Sequence, residues 1–230
     1  MSKIETATKW LEGIARDNSH GYDQIHRMGP VDYDCSGANI IAWVKAGVSV
    51  NKAVKKVVNG KAVTIPGATY TGNLRKAYIA HGFTDVTNKV NLSTGSGLKR
   101  GDVLLREGHH VAQYCGNGRE VEASINEKGK TTGGKPGDQT GREFLIRPYR
   151  NYPWDHVLRY TAELSEKKAD SKTAAKKKTA TNGKKDLDTV AEEVIAGKWG
   201  SGDTRRIKLT SAGYNYTKVQ VRVNALLKKK

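Results

Sequence analysis

From Leu164 to Asp186 the chain holds no aromatic and no β-branched aliphatic residue, in a stretch made mostly of Lys, Ala, Ser, Thr and acidic side chains. Such a segment cannot bury enough apolar surface to offset the entropy lost on ordering it, so it reads as a flexible linker. It divides the 230 residues into a larger N-terminal part, 1–163, and a small C-terminal part, 187–230, each of which needs a core of its own. Charge is uneven across that division. Residues 1–163 hold 23 Lys and Arg against 16 Asp and Glu, whereas 164–230 hold 17 against 7, out of a net +17. A basic field of this kind suits a polyanion such as nucleic acid, an anionic membrane or an anionic wall polymer; it equally suits a linker kept solvated by its lysines.

No apolar run approaches the roughly 20 residues that cross a bilayer. At the N-terminus Lys3, Glu5 and Lys9 interrupt the apolar positions, so no signal peptide is expected and the chain is expected to fold in a cytoplasm. In that compartment Cys35 and Cys115 are expected to be free thiols.

Ile4, Ala7, Leu11 and Ile14 recur at helical spacing. A second helix is expected from about Ser36 to a stop at Gly47, and a third over Leu74, Ala77 and Tyr78 that ends at Gly82. The period then changes to two. Short strands are expected at 103–105, 111–115, 119–123, 144–146 and 157–160, with a hairpin at Gly116-Asn117-Gly118. Helices followed by strands imply an α+β domain. Beyond the linker, Val190, Val194 and Ile195, then Ile207 and Leu209, then Val219, Val223, Leu226 and Leu227 mark three short helices.

Asp34-Cys35-Ser36-Gly37 stands directly before the second helix, which puts the Cys35 sulfur at its N-terminal end. There the helix dipole and unpaired amides favour a thiolate, and an amide of the same turn can steady an oxyanion. Cys115, at the end of an apolar strand, reads as core. Of the six histidines only His109 and His110 open a strand, in Gly108-His109-His110-Val111-Ala112-Gln113-Tyr114. Neither histidines nor carboxylates show zinc spacing, and no metal or other cofactor is expected.

Asp-Cys-Ser-Gly at a helix start, followed by His-Val-Ala-x-Tyr-x-Gly-Asn-Gly, resembles the NlpC-type papain-like cysteine peptidases of cell-wall hydrolases, in particular their phage endolysin branch. The resemblance covers about residues 5–160. It implies a papain-like α+β fold, N-terminal helices packed on an antiparallel sheet, with Cys35 as nucleophile and His110 as base. His109 then faces the other side of the strand. The family's third residue, often His, falls on Glu122, which can accept the second ring N–H. A three-residue loop 116–118 puts Glu122 diagonal to His110 on one face; a two-residue loop Asn117-Gly118 puts them on opposite faces. Tyr22, Asp34 and Ser36 are the candidate substrate-binding residues beside the nucleophile. The loop Gly133–Gly141 either shapes a cleft or is a plain connection.

Residues 188–227, with Gly197-Lys198-Trp199-Gly200-Ser201-Gly202-Asp203 and Leu209-Thr210-Ser211-Ala212-Gly213-Tyr214, resemble the three-helix wall-binding repeat of phage lysins. That resemblance makes Trp199 and Arg205 candidate contacts to a muropeptide, by stacking on sugar and by gripping a carboxylate; Trp199 as filler of a small core is the rival. The expected function is therefore an endolysin that hydrolyses an amide in the peptide part of peptidoglycan, a D-glutamyl endopeptidase or an N-acetylmuramoyl-L-alanine amidase. A non-catalytic basic protein binding wall or nucleic acid, and acyl transfer on the same residues, are the alternatives. The partners implied are peptidoglycan, anionic wall polymers and a holin that opens the membrane, with self-association raising avidity.

Overall fold

The computed structural model describes residues 1–162 and 185–227, except for the side chain of Ile207. The expected linker therefore lies outside the described residues, save for Lys185 and Asp186. The chain divides into two units, 1–169 and 170–230.

The first unit opens with α1, Lys3–Ile14, capped by Ser2, whose side chain accepts from the Glu5 amide. Next come α2, Cys35–Lys45, and α3, Thr71–Ala80. Between them lies a hairpin of β1, Val54–Val58, and β2, Lys61–Ile65, around the two-residue turn Asn59-Gly60. The remaining strands are β3 (Phe83–Asp85), β4 (Val103–Arg106), β5 (His110–Gly116), β6 (Arg119–Ala123), β7 (Phe144–Pro148) and β8 (His156–Tyr160). They form one antiparallel sheet in the order β3-β8-β4-β5-β6-β7. The expected helices and strands are present, as the helices-then-strands order requires; β1, β2 and β3 are additions.

Alternation assigns the two faces of the sheet. Val103, Leu105, Val111, Val121 and Leu158 point to one face and pack with Leu11, Ile40, Trp43 and Leu74 of the three helices. Leu104, Ala112 and Val157 point to the other, where Val86 and Trp154 cover them. A fully buried polar knot ties the helices to β5. Gln113 accepts from the Trp43 indole at 3.1 Å and donates to Thr8 at 2.7 Å, and Asn39 beside it accepts from the Tyr78 hydroxyl at 2.8 Å. Each of these groups would be costly to bury alone, so together they admit one placement of α2 on the sheet.

The second unit consists of α4 (Leu187–Ile195), α5 (Gly202–Ser211) and α6 (Tyr216–Leu227) around Val190, Val194, Leu209, Val219 and Val223. Asp186 belongs to α4 rather than to the linker, since its carboxylate caps the Asp188 and Thr189 amides.

Candidate active site

Cys35 is the first residue of α2, and Asp34 is its N-cap, with the Asp34 carboxylate accepting from the Gly37 amide at 2.6 Å. Ser36 Oγ donates to the same carboxylate at 3.0 Å, and Arg27 pairs with Asp34 at 3.0 Å and also bonds to Ser36. Asp34 and Ser36 are 4% and 2% exposed and spend their side chains on each other and on Arg27. Gly37 is needed here because a Cβ would stand 1.8 Å from the Arg27 carbonyl.

The thiol departs from the expected thiolate. Burial pushes Cys35 up to about 12, and the Asp34 charge adds to this, against the Val111 and Ser36 amides and Arg27. A helix end offers only about 0.3–1 kcal/mol, less than one pKa unit. Asp34 already takes that end for itself. The amides of Val111, the residue after His110, and of Ser36 act the other way and favour the thiolate.

His110 is the first residue of β5, while His109 lies exposed in the preceding turn rather than on the strand. The His110 Nε2 meets Glu122 Oε2 at 2.6 Å, which leaves Nδ1 as the other ring nitrogen. The turn between β5 and β6 is the two-residue Asn117-Gly118, both at positive φ, and Gly116 pairs with Arg119. By itself that turn would set His110 and Glu122 on opposite faces. A bulge between Tyr114 and Gly116 shifts the register by one, so that Gln113 pairs with Val121 and Glu122 comes diagonal to His110. Burial pushes the Glu122 carboxyl up, but the hydrogen bond from His110 and the charges of His110, Arg150 and Arg147 outweigh it and hold the carboxyl below its usual range.

Tyr22 is buried with its hydroxyl near Cys35, and that burial raises its pKa. Its backbone is held by the loop for which a cleft wall and a plain connection were the two expectations, and by the residues that follow it. Asp32 accepts from the amides of Gly21 and Gly137, both at 2.9 Å, and Glu143 accepts from the Tyr22 amide at 3.1 Å. Asp138 organises that loop by accepting from the amides of Thr140, Gly141, Glu143 and Phe144. The Gly-rich segment is therefore a buttress for the stretch of chain leading to Cys35.

Sequence reasoning passed over Arg27, Glu120, Arg150, Tyr152 and Trp154. The last three come from Arg147-Pro148-Tyr149-Arg150-Asn151-Tyr152-Pro153-Trp154, whose density of aromatics and arginines was the available signal. Tyr152 and Trp154 pack on the His110 ring at 5.6 and 5.9 Å.

The endolysin-like domain pattern matches residues 3–121 and 121–189. The chain belongs to the endolysin-like domain family. Behind this endolysin-like domain, residues 188–227 match the CW_7 repeat. No protein with a curated description matches the chain. Among solved structures, NlpC1 from Trichomonas vaginalis is similar at 18% identity over 69% of this chain and 44% of its own, with a TM-score of 0.40. The P60 domain of an antigen from M. avium subspecies paratuberculosis is similar at 20% identity over 68% and 92%, with a TM-score of 0.36. The peptidoglycan hydrolase RipB from Mycobacterium tuberculosis is similar at 19% over 67% and 64%, with a TM-score of 0.39. The chain spans less than half the length of NlpC1.

Within the CW_7 repeat Trp199 is half-buried, edge-on to Tyr214 at 5.7 Å, and its indole donates to Glu193 at 3.1 Å. It thus serves the small core and also lines a recess of about 470 Å³ with Lys185, Glu193, Lys198, Lys208 and Ser211. Arg205 is outside that lining and donates to the Gly200 carbonyl at 2.9 Å. Among the described residues no helix is long and apolar enough to cross a membrane.

Proposed function

We propose that this chain is an endolysin whose Cys35, His110 and Glu122 hydrolyse an amide in the peptide part of bacterial peptidoglycan. The observation that carries this reading is the 2.6 Å contact of His110 Nε2 with a buried, ionised Glu122, on a strand whose next residue, Val111, has the amide that favours the thiolate of the helix-start Cys35. Because burial keeps the thiol protonated at rest, the proton moves to His110 Nδ1 as the sulfur attacks the carbonyl carbon. Glu122 stabilises the resulting imidazolium. The Ser36 amide, already aimed at the sulfur, stands where an oxyanion develops. Collapse breaks the C–N bond, and His110 returns the proton to the departing amine. Water, losing a proton to His110, then cleaves the thioester and releases Cys35.

The bond we favour is the D-glutamyl endopeptidase bond; the N-acetylmuramoyl-L-alanine bond is the alternative. Tyr22 lines the substrate side of the nucleophile. Trp199, with Arg205 near it in sequence, contacts the muropeptide through the C-terminal repeat, and the basic charge favours anionic wall polymers. The proposed course is synthesis in a host cytoplasm, passage through a holin-opened membrane and action at the wall, with self-association adding avidity. Digestion of purified wall, followed by mass spectrometry of the fragments, tests this. New peptide ends with the parent and none with Cys35→Ala support it; equal release by both would end it.

A further inference from the structure

Strand β6 carries two buried glutamates on one face, two residues apart, and they are driven in opposite directions. Glu120 is 0% and Glu122 2% exposed. Burial and the negative charge of Glu122 push the Glu120 carboxyl up to about 7 against the pull of Arg150. Burial pushes Glu122 up as well, but there the surrounding cations win. The cation shared by both is Arg150, whose Nε donates to Glu120 Oε1 at 2.9 Å and whose Nη2 donates to Glu122 Oε2 at 2.6 Å. That Glu122 oxygen is the one His110 holds.

The guanidinium is itself fixed. It lies 4.6 Å from the Tyr152 ring centroid and 6.0 Å from that of Trp154, the two rings that also pack on His110. The other charged or titratable groups around the pair are few. Arg147 of β7 stands 3.3 Å from Glu122 Oε1, and Tyr114 of β5 pairs across from Glu120. Arg106 of β4 pairs across from His110 and lies 5.6 Å from the Tyr152 ring, while the Tyr149 hydroxyl donates away to the Leu92 carbonyl.

We infer that Arg150 is a positioning residue, a clamp anchored on Glu120 and cradled by Tyr152 and Trp154 that keeps the Glu122 carboxylate aimed at His110. The inference rests on the thiol-hydrolase reading. A buried carboxylate deprived of its cation takes up a proton, and a neutral Glu122 no longer holds the ring as one half of an ion pair. Lysine cannot replace the clamp fully, because a point charge neither spans two carboxylates with a planar fork nor stacks on the rings.

The test is alkylation of Cys35 by iodoacetamide in the full chain, resolved by mass spectrometry from mildly acidic to mildly alkaline pH, with wall digestion alongside. Arg150→Met is expected to slow alkylation near neutrality by roughly tenfold, one pKa unit of lost coupling, and to displace the pH profile. Arg150→Lys recovers part of the rate. Since a lone Arg150→Met leaves two glutamates facing each other, the double variant Glu120→Gln/Arg150→Met balances the buried charge. It is expected to melt near the parent and still show the displaced profile. A folded double variant with the parental profile and parental wall turnover would overturn the clamp. If instead the parent digests no wall while the variants' alkylation profiles are displaced, the hydrolase reading fails and the clamp stands.

Discussion

The Nε2 of His110 and the Oε2 of Glu122 lie 2.6 Å apart on neighbouring strands because one extra residue is taken up in β5 before the turn. In a regular ladder with the same Asn117-Gly118 turn, Glu122 would point under the helices into the apolar core and His110 away from it. A one-residue slip reverses every side chain of a strand, so the bulge decides whether the pair exists at all. Deleting Cys115 closes the bulge into a regular ladder with Gln113 still opposite Val121, so Glu122 stays on the face of His110; a retained cooperative thermal transition in circular dichroism is the expected result.

Glu122→Gln keeps the shape of the side chain and removes its charge. If the imidazolium is stabilised as proposed, kcat for release of wall peptides falls by about 10²- to 10⁴-fold, the range spanned by general acid–base assistance and by an orienting carboxylate. KM should change far less, which steady-state kinetics on a soluble muropeptide will read.

Glu120 gives a pH dependence of opposite sign to that of the usual structural carboxylate. Its pKa is raised to about 7 in the fold, so the folded state holds the proton more tightly than the unfolded chain, and stability falls as pH rises from the ordinary carboxylate range through 7. Asp138 runs the other way. Burial opposes its charge, but the amides of Thr140, Phe144, Glu143 and Gly141 hold its pKa down, so its contribution is present at neutral pH and lost as pH falls below the usual aspartate value. Melting temperatures of Glu120→Gln relative to the parent should therefore move in favour of the variant between mildly acidic and mildly alkaline buffer.

Gly21→Ala would put a Cβ 2.2 Å from the Gly137 carbonyl oxygen, a backbone group that cannot swing aside. Separation of the two segments bridged by Asp32 is expected, with a loss of roughly 1–3 kcal/mol in urea denaturation, as for other forced overpacking. Because Tyr22 adjoins the displaced residue, KM should rise with it.

In the C-terminal repeat, Trp199→Ala removes both the wall of the recess and the edge contact to Tyr214. Co-sedimentation with purified wall should weaken about tenfold or more, as for a buried aromatic anchor. Trp199→Phe, which keeps a ring but not the donor to Glu193, should retain part of it. Equal binding by all three would remove Trp199 from the contact surface.

Much of the architecture could be read from the order of residues, and the gaps share a physical cause. Helices α1 to α3 and strands β4 to β8 each bury one face, so burial leaves a period in the chain that marks them. The β1–β2 hairpin has almost no buried face: Val57, Val58 and Val63 are exposed and lysines interrupt the alternation, leaving only Asn59-Gly60 as a signal. Arg150 was out of reach for a different reason. Its partners Glu120 and Glu122 are far from it in sequence, and an arginine's spacing along the chain carries no trace of a carboxylate on another strand.

Local sequence was enough to determine which segments become helix or strand, that Cys35 opens a helix and that His110 begins a strand, because these depend on neighbours within a few residues. The protonation of Cys35, the face on which Glu122 lies and the service of one arginine to two glutamates were decided only in the tertiary structure. Solvent exclusion, strand register and charge pairing are properties of groups brought together from distant parts of the chain, and their energies exist only once those groups meet.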